Sequence, residues 1–415
     1  MTAAAHPPLH YDGRAFEADK EFVWGTHRAM PPKETLARIR PLLPLAGITR
    51  IADITGLDTI GVPVAVAMRP ASATLAVEGG KGLTMEAAFT SAAMEAIERY
   101  VAEMEPVIEE RATIAEVAER LPLQAERFPM FRYASVSHER RYLWTRTQDL
   151  RSGDWFLVPS ELVNLPATEG KVPFGHPWAA SSNGLASGNH LPEAVCAALY
   201  EVIERDATWC WQNAHLKGTP RLVVDPATIH GPAIAGLLAT LDDAGIDAQI
   251  VWCPTDVGVP SCLAYIIDRE RGIGTYKGYG CHLDPEIAMI RAVTEAVQSR
   301  TIFVAGARDD VLRATYDAVK RSDVLSAIEF KRKFQLISAT DIPNRATSSF
   351  HGDIAVMVDL LAQAGFDCVL MRELNGAPFH SSVARVIIPG LETYQFQWVA
   401  AGNRARTFDA AQFIG

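Results

Sequence analysis

The sequence lacks the close cysteine pairs of a structural zinc site. Its six cysteines, Cys196, Cys210, Cys253, Cys262, Cys281 and Cys368, are scattered, several in apolar segments, as buried reduced thiols are. It also lacks a Lys/Arg-rich run. Its 39 basic residues stand against 49 acidic ones, a net charge of −10, so there is no basic face for nucleic acid. A polyphosphate partner would need local cations or bound metal. No apolar run approaches the ~20 residues of a membrane helix, and residues 1–16 have no apolar core of a signal peptide. These absences lead us to expect a cytoplasmic protein with no nucleic-acid and no membrane partner. What is present is ordinary globular usage: 415 residues, 48% hydrophobic, with 29 Gly and 25 Pro, enough for two or three structural units.

Periodicity and breaker signals predict helices over 32–43, 86–103, 114–121, 193–213, 233–244, 284–307, 325–338 and 354–364. Strands are predicted over 48–54, 61–68, 247–251, 263–268, 368–372 and 383–388, with strand-like runs over 142–158 around Ser152, Gly153 and Asp154. The first 30 residues read as an arm laid over the body. Residues 164–189 read as a long loop, a length usually functional or disordered inside a compact domain. Helices and strands mix without strict βαβ alternation. The fold class is therefore α+β, with helices covering mostly antiparallel sheets.

A weak internal repeat carries more information. Three long helices superpose on an acidic residue, Glu95, Glu201 and Glu295. Alanine precedes it at two fixed offsets (Ala92, Ala198, Ala292 and Ala88, Ala194, Ala288). A β-branched residue follows (Ile97, Ile203, Val297), and then Glu98, Glu204 and Gln298. Before each helix stands a glycine segment read as a loop: Gly79, Gly80 and Gly82; Gly184 and Gly188; Gly278 and Gly280. Ser91, Glu95 and Glu98 fall at i, i+4 and i+7, within roughly a 60° arc of one helix face. The sets Ala197, Glu201, Glu204 and Arg291, Glu295, Gln298 repeat that spacing. The helices are otherwise apolar, so each carboxylate needs a cation, a metal or a ligand beside it. In one helix alone, local pairs such as Glu95 with Arg99 or Glu201 with Arg205, worth ~0.3–0.5 kcal/mol, would account for the acids. Three helices with the same layout favour ligand-binding equipment.

Carboxylates such as Glu95, Glu98, Glu201 and Glu204 suit a hard divalent cation, Mg2+ above all. Lys81, Arg99, Arg205 and Arg300 lie in or beside the same elements and can face anionic oxygens. Glycine segments running into helix N-termini offer backbone N–H groups. Together these describe a nucleoside triphosphate held through bridging Mg2+, because without metal the acids would repel it. Standard nucleotide motifs are missing. Gly79 to Thr84 is not a Walker loop, and Gly272, Gly274 and Gly278 are misspaced for a dinucleotide fingerprint.

The same residues resemble the YcaO family. Gly80, Lys81 and Gly82, followed by Ser91, Glu95, Glu98 and Arg99, resemble its first ATP-binding segment. Asn183, Gly184, Gly188 and Asn189, then Glu193, Glu201, Glu204 and Arg205, resemble the second. Cys281, His282, Asp284, Pro285 and Glu286, leading to Glu295, Gln298 and Arg300, resemble the third. Arg385, Pro389, Gly390 and Glu392 match the C-terminal strand, so the likeness runs in order from Ser72 to Glu392. The resemblance implies the YcaO fold, two-layer subdomains around one ATP site. It divides the chain into 1–70 (arm, first helix and strands), 71–392 (catalytic domain) and 393–415 (tail).

Further implications concern chemistry. The resemblance implies an ATP- and Mg2+-dependent enzyme that phosphorylates the oxygen of a peptide-backbone amide after a nucleophile adds to its carbon. The product is an azoline, a thioamide or an amidine. Glu95, Glu98, Glu193, Glu201 and Glu204 are expected to coordinate Mg2+. Lys81, Arg99, Arg205 and Arg300 are expected on phosphates, with Ser91, Asn189, Glu295 and Gln298 completing the nucleotide pocket. No residue stands out as a general base. The sequence ends without the Pro-rich tail of azoline-forming members and is expected to lack a fused leader-peptide-binding domain. Segments at Gly25 to Arg28, Gly47 to Arg50, Leu57 to Val64 and Arg300 to Asp310 look like the thioamide-forming branch. That branch uses sulfide with a TfuA-like sulfur-delivery partner on a peptide or protein substrate, and a homodimer is expected. The alternatives are an azoline-forming cyclodehydratase and a non-catalytic scaffold for another modifying enzyme.

Overall fold

The computed structural model describes residues 6–104, 107–165, 176–269, 274–306, 308, 313, 316, 334–393 and 402–414. The chain begins with β1 (Leu9–Tyr11), β2 (Arg14–Phe16), α1 (Pro32–Ile39), β3 (Arg50–Asp53), β4 (Val64–Met68) and β5 (Val77–Lys81). Next come α2 (Met85–Met104), β6 (Glu110–Ala112), α3 (Ile114–Val117), β7 (Tyr142–Asp149), β8 (Trp155–Pro159), β9 (Leu185–Gly188) and α4 (Leu191–Leu216). The middle holds β10 (Arg221–Val224), α5 (Pro232–Asp243), β11 (Ile246–Trp252), β12 (Ser261–Asp268), β13 (Thr275–Cys281) and α6 (Pro285–Ala305). It closes with β14 (Phe334–Ile337), α7 (Phe350–Gln363), β15 (Leu370–Leu374), β16 (Ser382–Ile387) and α8 (Asn403–Thr407).

Two compact units divide these elements. The first draws on Met1–Lys20, Ile97–Cys210 and Thr347–Phe408. Its sheet runs β6-β7-β15-β16-β9, with β8 also on β7, and every pairing is antiparallel. The hairpin β1–β2 belongs to this unit, and the Tyr11 hydroxyl accepts the Glu373 N–H of β15 at 3.1 Å. The expected arm is thus pinned in place over residues 9–20. The second unit draws on Glu21–Ala96, Trp211–Ala346 and Asp409–Gly415. It holds the sheet β13-β12-β11-β10-β14 and the small sheet β3-β4-β5. Only β10 with β14 is parallel among the described pairings. The core of this unit lies where Val64, Val66, Cys262, Ala264 and Ile266 meet Leu237 and Leu241 of α5 and Ala288, Ala292 and Ala296 of α6.

The α+β architecture matches the sequence expectation, and three local readings do not. The glycine segments expected as loops are largely strands: β5, β9 and β13 lead into α2, α4 and α6. Their glycines let a helix backbone approach closely. A Cβ on Gly80 would sit 2.7 Å from the Ala92 Cβ, and one on Gly280 would sit 2.6 Å from the Ala292 N. The matched alanines are small for the same reason. The loop expected over 164–189 contains β9, which antiparallel pairing with β16 holds extended (Leu185 opposite Arg385), while 166–175 lie outside the described residues. Of the helix expected over 325–338, residues 325–333 also lie outside them, and Phe334–Ile337 is a strand beside β10. The sequence division at residue 70 falls within the small sheet, since β4 pairs with β5 across it.

Candidate active site

The three repeated helices share one burial pattern. Ala92, Ala93, Ala96 and Ile97 in α2, Ala198, Leu199, Val202 and Ile203 in α4, and Ala292, Val293, Ala296 and Val297 in α6 are all buried. Between them runs a stripe that is only half-buried: Ser91, Glu95 and Glu98; Ala197 and Glu201; Arg291, Glu295 and Gln298. Glu204 is the exception, at 2% exposure. A stripe held between core and solvent excludes most water yet leaves oxygens reachable, which is what a ligand of opposite charge requires.

In the first unit several expected site residues come together. The Ser187 hydroxyl of β9 donates to Glu98 Oε2 at 3.3 Å. The Asn189 backbone N–H and side-chain amide both donate to Glu193 Oε2, at 3.0 and 2.9 Å. Sequence reasoning left Arg385 of β16 unassigned, yet it sits in the field of Glu201, Glu98 and Arg99. Burial pulls its guanidinium down to about 10, opposed by Glu201 and Glu98 and reinforced by Arg99. Its donors go to the carbonyls of Val163 (3.1 Å), Asn183 (2.7 Å) and Ser181 (2.6 Å). A fixed cation therefore stands near Glu98 and Glu201, and it orients the chain that leads into β9. A charged residue inside the apolar run Val383 to Ile388 was the signal that could have found it. Arg99 and Arg205 are half-buried on α2 and α4.

In the second unit Lys81 Nζ lies 2.9 Å from Glu295 Oε2, with side chains 22% and 21% exposed. This joins two expected site residues. Gln298 packs where a side chain at Gly79 would intrude, and Ser91 and Glu95 lie on α2. Arg300 is held by two carboxylates. Its Nε and a terminal N–H donate to Asp58 (2.8 and 3.1 Å) and another to Asp268 (3.0 Å), and its side chain is 1% exposed. As described, it ties α6 to the turn after Thr55–Leu57 and to the end of β12.

A family model described as YcaO cyclodehydratase, ATP- and Mg2+-binding, matches residues 79–392. The chain belongs to the YcaO family. An uncharacterized protein encoded in the tfuA 3′ region of Rhizobium leguminosarum bv. trifolii is 36% identical over 91% of this chain and 92% of its own length. An uncharacterized protein of Methanothermobacter thermautotrophicus is 34% identical over 92% and 99%. Among solved structures, the YcaO protein of Methanopyrus kandleri bound with AMPPCP and Mg2+ is similar, with a TM-score of 0.71 and 25% identity over 90% of this chain and 95% of that one. A heterocyclase in complex with substrate and cofactor shares the fold at TM-score 0.76 and 23% identity, covering 92% of this chain. The chain spans 54% of that heterocyclase.

As a YcaO protein the chain is an ATP-dependent enzyme of a peptide-modifying family, and ATP and Mg2+ are its cofactors. The residues present fit them. Glu98, Glu193, Glu201 and Glu204 offer hard oxygen donors of the kind Mg2+ takes, on elements of the first unit. Among the described residues no helix is long and apolar enough to cross a membrane. All six cysteines are free, and burial pushes the Cys368 thiol up to about 12, which disfavours its thiolate.

Proposed function

We propose that the chain converts a peptide backbone amide to a thioamide, using sulfide delivered by a TfuA-like partner. The observation that carries this reading is the 36% identity, over nine-tenths of both chains, to a protein encoded beside tfuA. Bound Mg-ATP supplies the phosphoryl group that turns the amide oxygen into a leaving group. The balance is simple: amide, hydrosulfide and ATP give thioamide, ADP and phosphate, with the amide oxygen leaving in the phosphate. Sulfur adds to the carbonyl carbon, and the C–O bond breaks after phosphorylation.

On this reading Glu95, Glu98, Glu193, Glu201 and Glu204 hold Mg2+, while Lys81, Arg99 and Arg205 face phosphate oxygens. Ser91, Asn189, Glu295 and Gln298 complete the nucleotide pocket. Arg300, taken up by Asp58 and Asp268, acts through the position of α6. Such residues work by positioning and charge neutralisation, which supply most of the catalysis in phosphoryl transfer. The working assembly is a homodimer that meets its peptide or protein substrate and the sulfur donor.

The family description and the heterocyclase fold favour a second reading, azoline formation from a Cys, Ser or Thr of the substrate. Intact mass separates the two. The chain, a TfuA-like protein, Mg-ATP, sulfide and a peptide encoded beside the gene are incubated together. Exchange of oxygen for sulfur raises the peptide mass and supports the proposal. Loss of one water supports the azoline, and ATP-independent, unchanged peptide indicates a scaffold.

A further inference from the structure

The first unit contains a buried ion pair formed by residues that do not belong to the acidic stripe. Lys20 Nζ lies 2.6 Å from Asp353 Oδ2, and the two side chains are 2% and 0% exposed. Lys20 also donates to the Thr347 carbonyl at 2.8 Å. The other carboxylate oxygen accepts the Thr347 N–H and hydroxyl, at 2.8 and 3.0 Å. The Tyr200 hydroxyl of α4 completes the set, donating to Asp353 Oδ2 at 2.8 Å. The arm, the segment before α7, and α4 are thus tied at one carboxylate.

The place of Tyr200 on α4 gives the network its meaning. Glu193, Tyr200 and Glu204 recur at i, i+7 and i+11, so they share one side of the helix. All three are buried, Glu193 and Glu204 at 2% exposure. Cys196, one turn before Tyr200, lies in the field of Asp353, Lys20 and Glu193. A buried ion pair is a poor stabiliser, since apolar side chains of similar size do as well, but it fixes one arrangement of its neighbours.

We propose that Lys20, Asp353 and Tyr200 are positioning residues that set the rotation of α4. They thereby fix the directions in which Glu193, Glu201 and Glu204 present their oxygens. This rests on the reading of those glutamates as Mg2+ ligands. The arm is then part of the working site even though it supplies no ligand.

The test uses the full chain and titrates Mg2+ against ATP binding by calorimetry. Tyr200→Phe removes one hydroxyl and leaves the ion pair intact. It is expected to raise the Mg2+ needed for half-maximal ATP binding about tenfold, with excess Mg2+ restoring the affinity. Its melting temperature should stay within about 3 °C of wild type, a shift too small for a merely structural loss to explain the tenfold change. Lys20→Arg keeps the charge and is expected to retain near wild-type behaviour, while Lys20→Met follows Tyr200→Phe or exceeds it. A folded Tyr200→Phe protein with the wild-type Mg2+ requirement overturns the positioning role and leaves the metal assignment standing. Wild-type protein that binds no ATP with Mg2+ overturns the metal assignment and the positioning role together.

Discussion

The β9–α4 and β13–α6 units share a scaffold and differ in what it carries. Both place small residues where strand and helix touch, and both expose a half-buried stripe from a mostly apolar helix. On α4 two acids stand at these positions, half-buried Glu201 and buried Glu204, with the Arg385 cation near Glu201. On α6 an amide, Gln298, stands in place of the second acid, and Glu295 is already paired with Lys81. The packing residues are thus the repeat, and the polar stripe is the variable part. Two carboxylates on one helix suit a divalent cation, whereas a single acid paired with a lysine is largely neutralised.

That contrast predicts unequal losses. Glu201→Ala is expected to weaken Mg-ATP binding by at least about 100-fold, without a change in the thermal transition large enough to indicate unfolding. Glu295→Ala is expected to cost about tenfold, with little change in Mg2+ dependence, because Lys81 remains to meet an anionic oxygen. Calorimetry on both variants measures the difference. Equal losses would mean that α4 and α6 do the same work, and the distinction drawn here would be wrong.

The scaffold itself breaks at the close approaches. Gly280→Ala would push a methyl group into the Ala288 carbonyl and to 2.6 Å from the Ala292 N, both helix backbone that cannot swing away. Overpacking of this kind is expected to cost about 3 kcal/mol of unfolding free energy, read from the shift in urea midpoint. A midpoint unchanged by this substitution would show that α6 and β13 can separate freely.

These glycines show how much of the molecule was legible in the sequence. The repeat was visible because three helices kept alanines and acids at fixed spacing. Its strands were not, since Val77 to Lys81 and Leu185 to Gly188 carry too much glycine and alanine for strand propensity and are held extended by pairing with β4 and β16. Long amphipathic or Ala-rich helices declared themselves by period, and α2, α4 and α6 lie within a few residues of their expected ends. The site was legible as chemistry, acids on apolar helices, but not as geometry. Nothing in the spacing connects Arg385 with Glu98, or Lys20 with Asp353, across hundreds of residues. Such pairs exist only through the fold.

A smaller effect concerns the tail in the first unit. Asp206 of α4 accepts from Arg404 Nε (2.9 Å to each oxygen) and from the Glu392 N–H (2.9 Å). Burial raises its carboxyl from 3.8 to about 6, outweighing the opposing pull of Arg404. Between those values the folded protein holds a proton that the unfolded chain has released. The contribution of this group to stability is therefore full below about pH 4, falls as pH rises to about 6, and is flat above, a change of at most about 3 kcal/mol. Subtracting urea stabilities of Asp206→Asn from wild type across that range isolates it. A difference that grows with rising pH would reverse the sign and refute the assignment.

The smallest effect runs in the stabilising direction and tests the same reading of glycine. Gly236 lies in the exposed face of α5, with nothing within 4 Å of an added Cβ and no positive φ to strain a side chain. There the residue contributes only backbone freedom to the unfolded chain, so Gly236→Ala is expected to stabilise by about 0.5–1 kcal/mol. Gly280 and Gly236 belong to one unit and undergo one chemical change, yet their urea midpoints should move in opposite directions. Contact with the helix backbone, not glycine as such, decides the sign. If both variants were destabilised alike, propensity would explain neither, and the close strand–helix approach would lose its standing as the reason for the repeat.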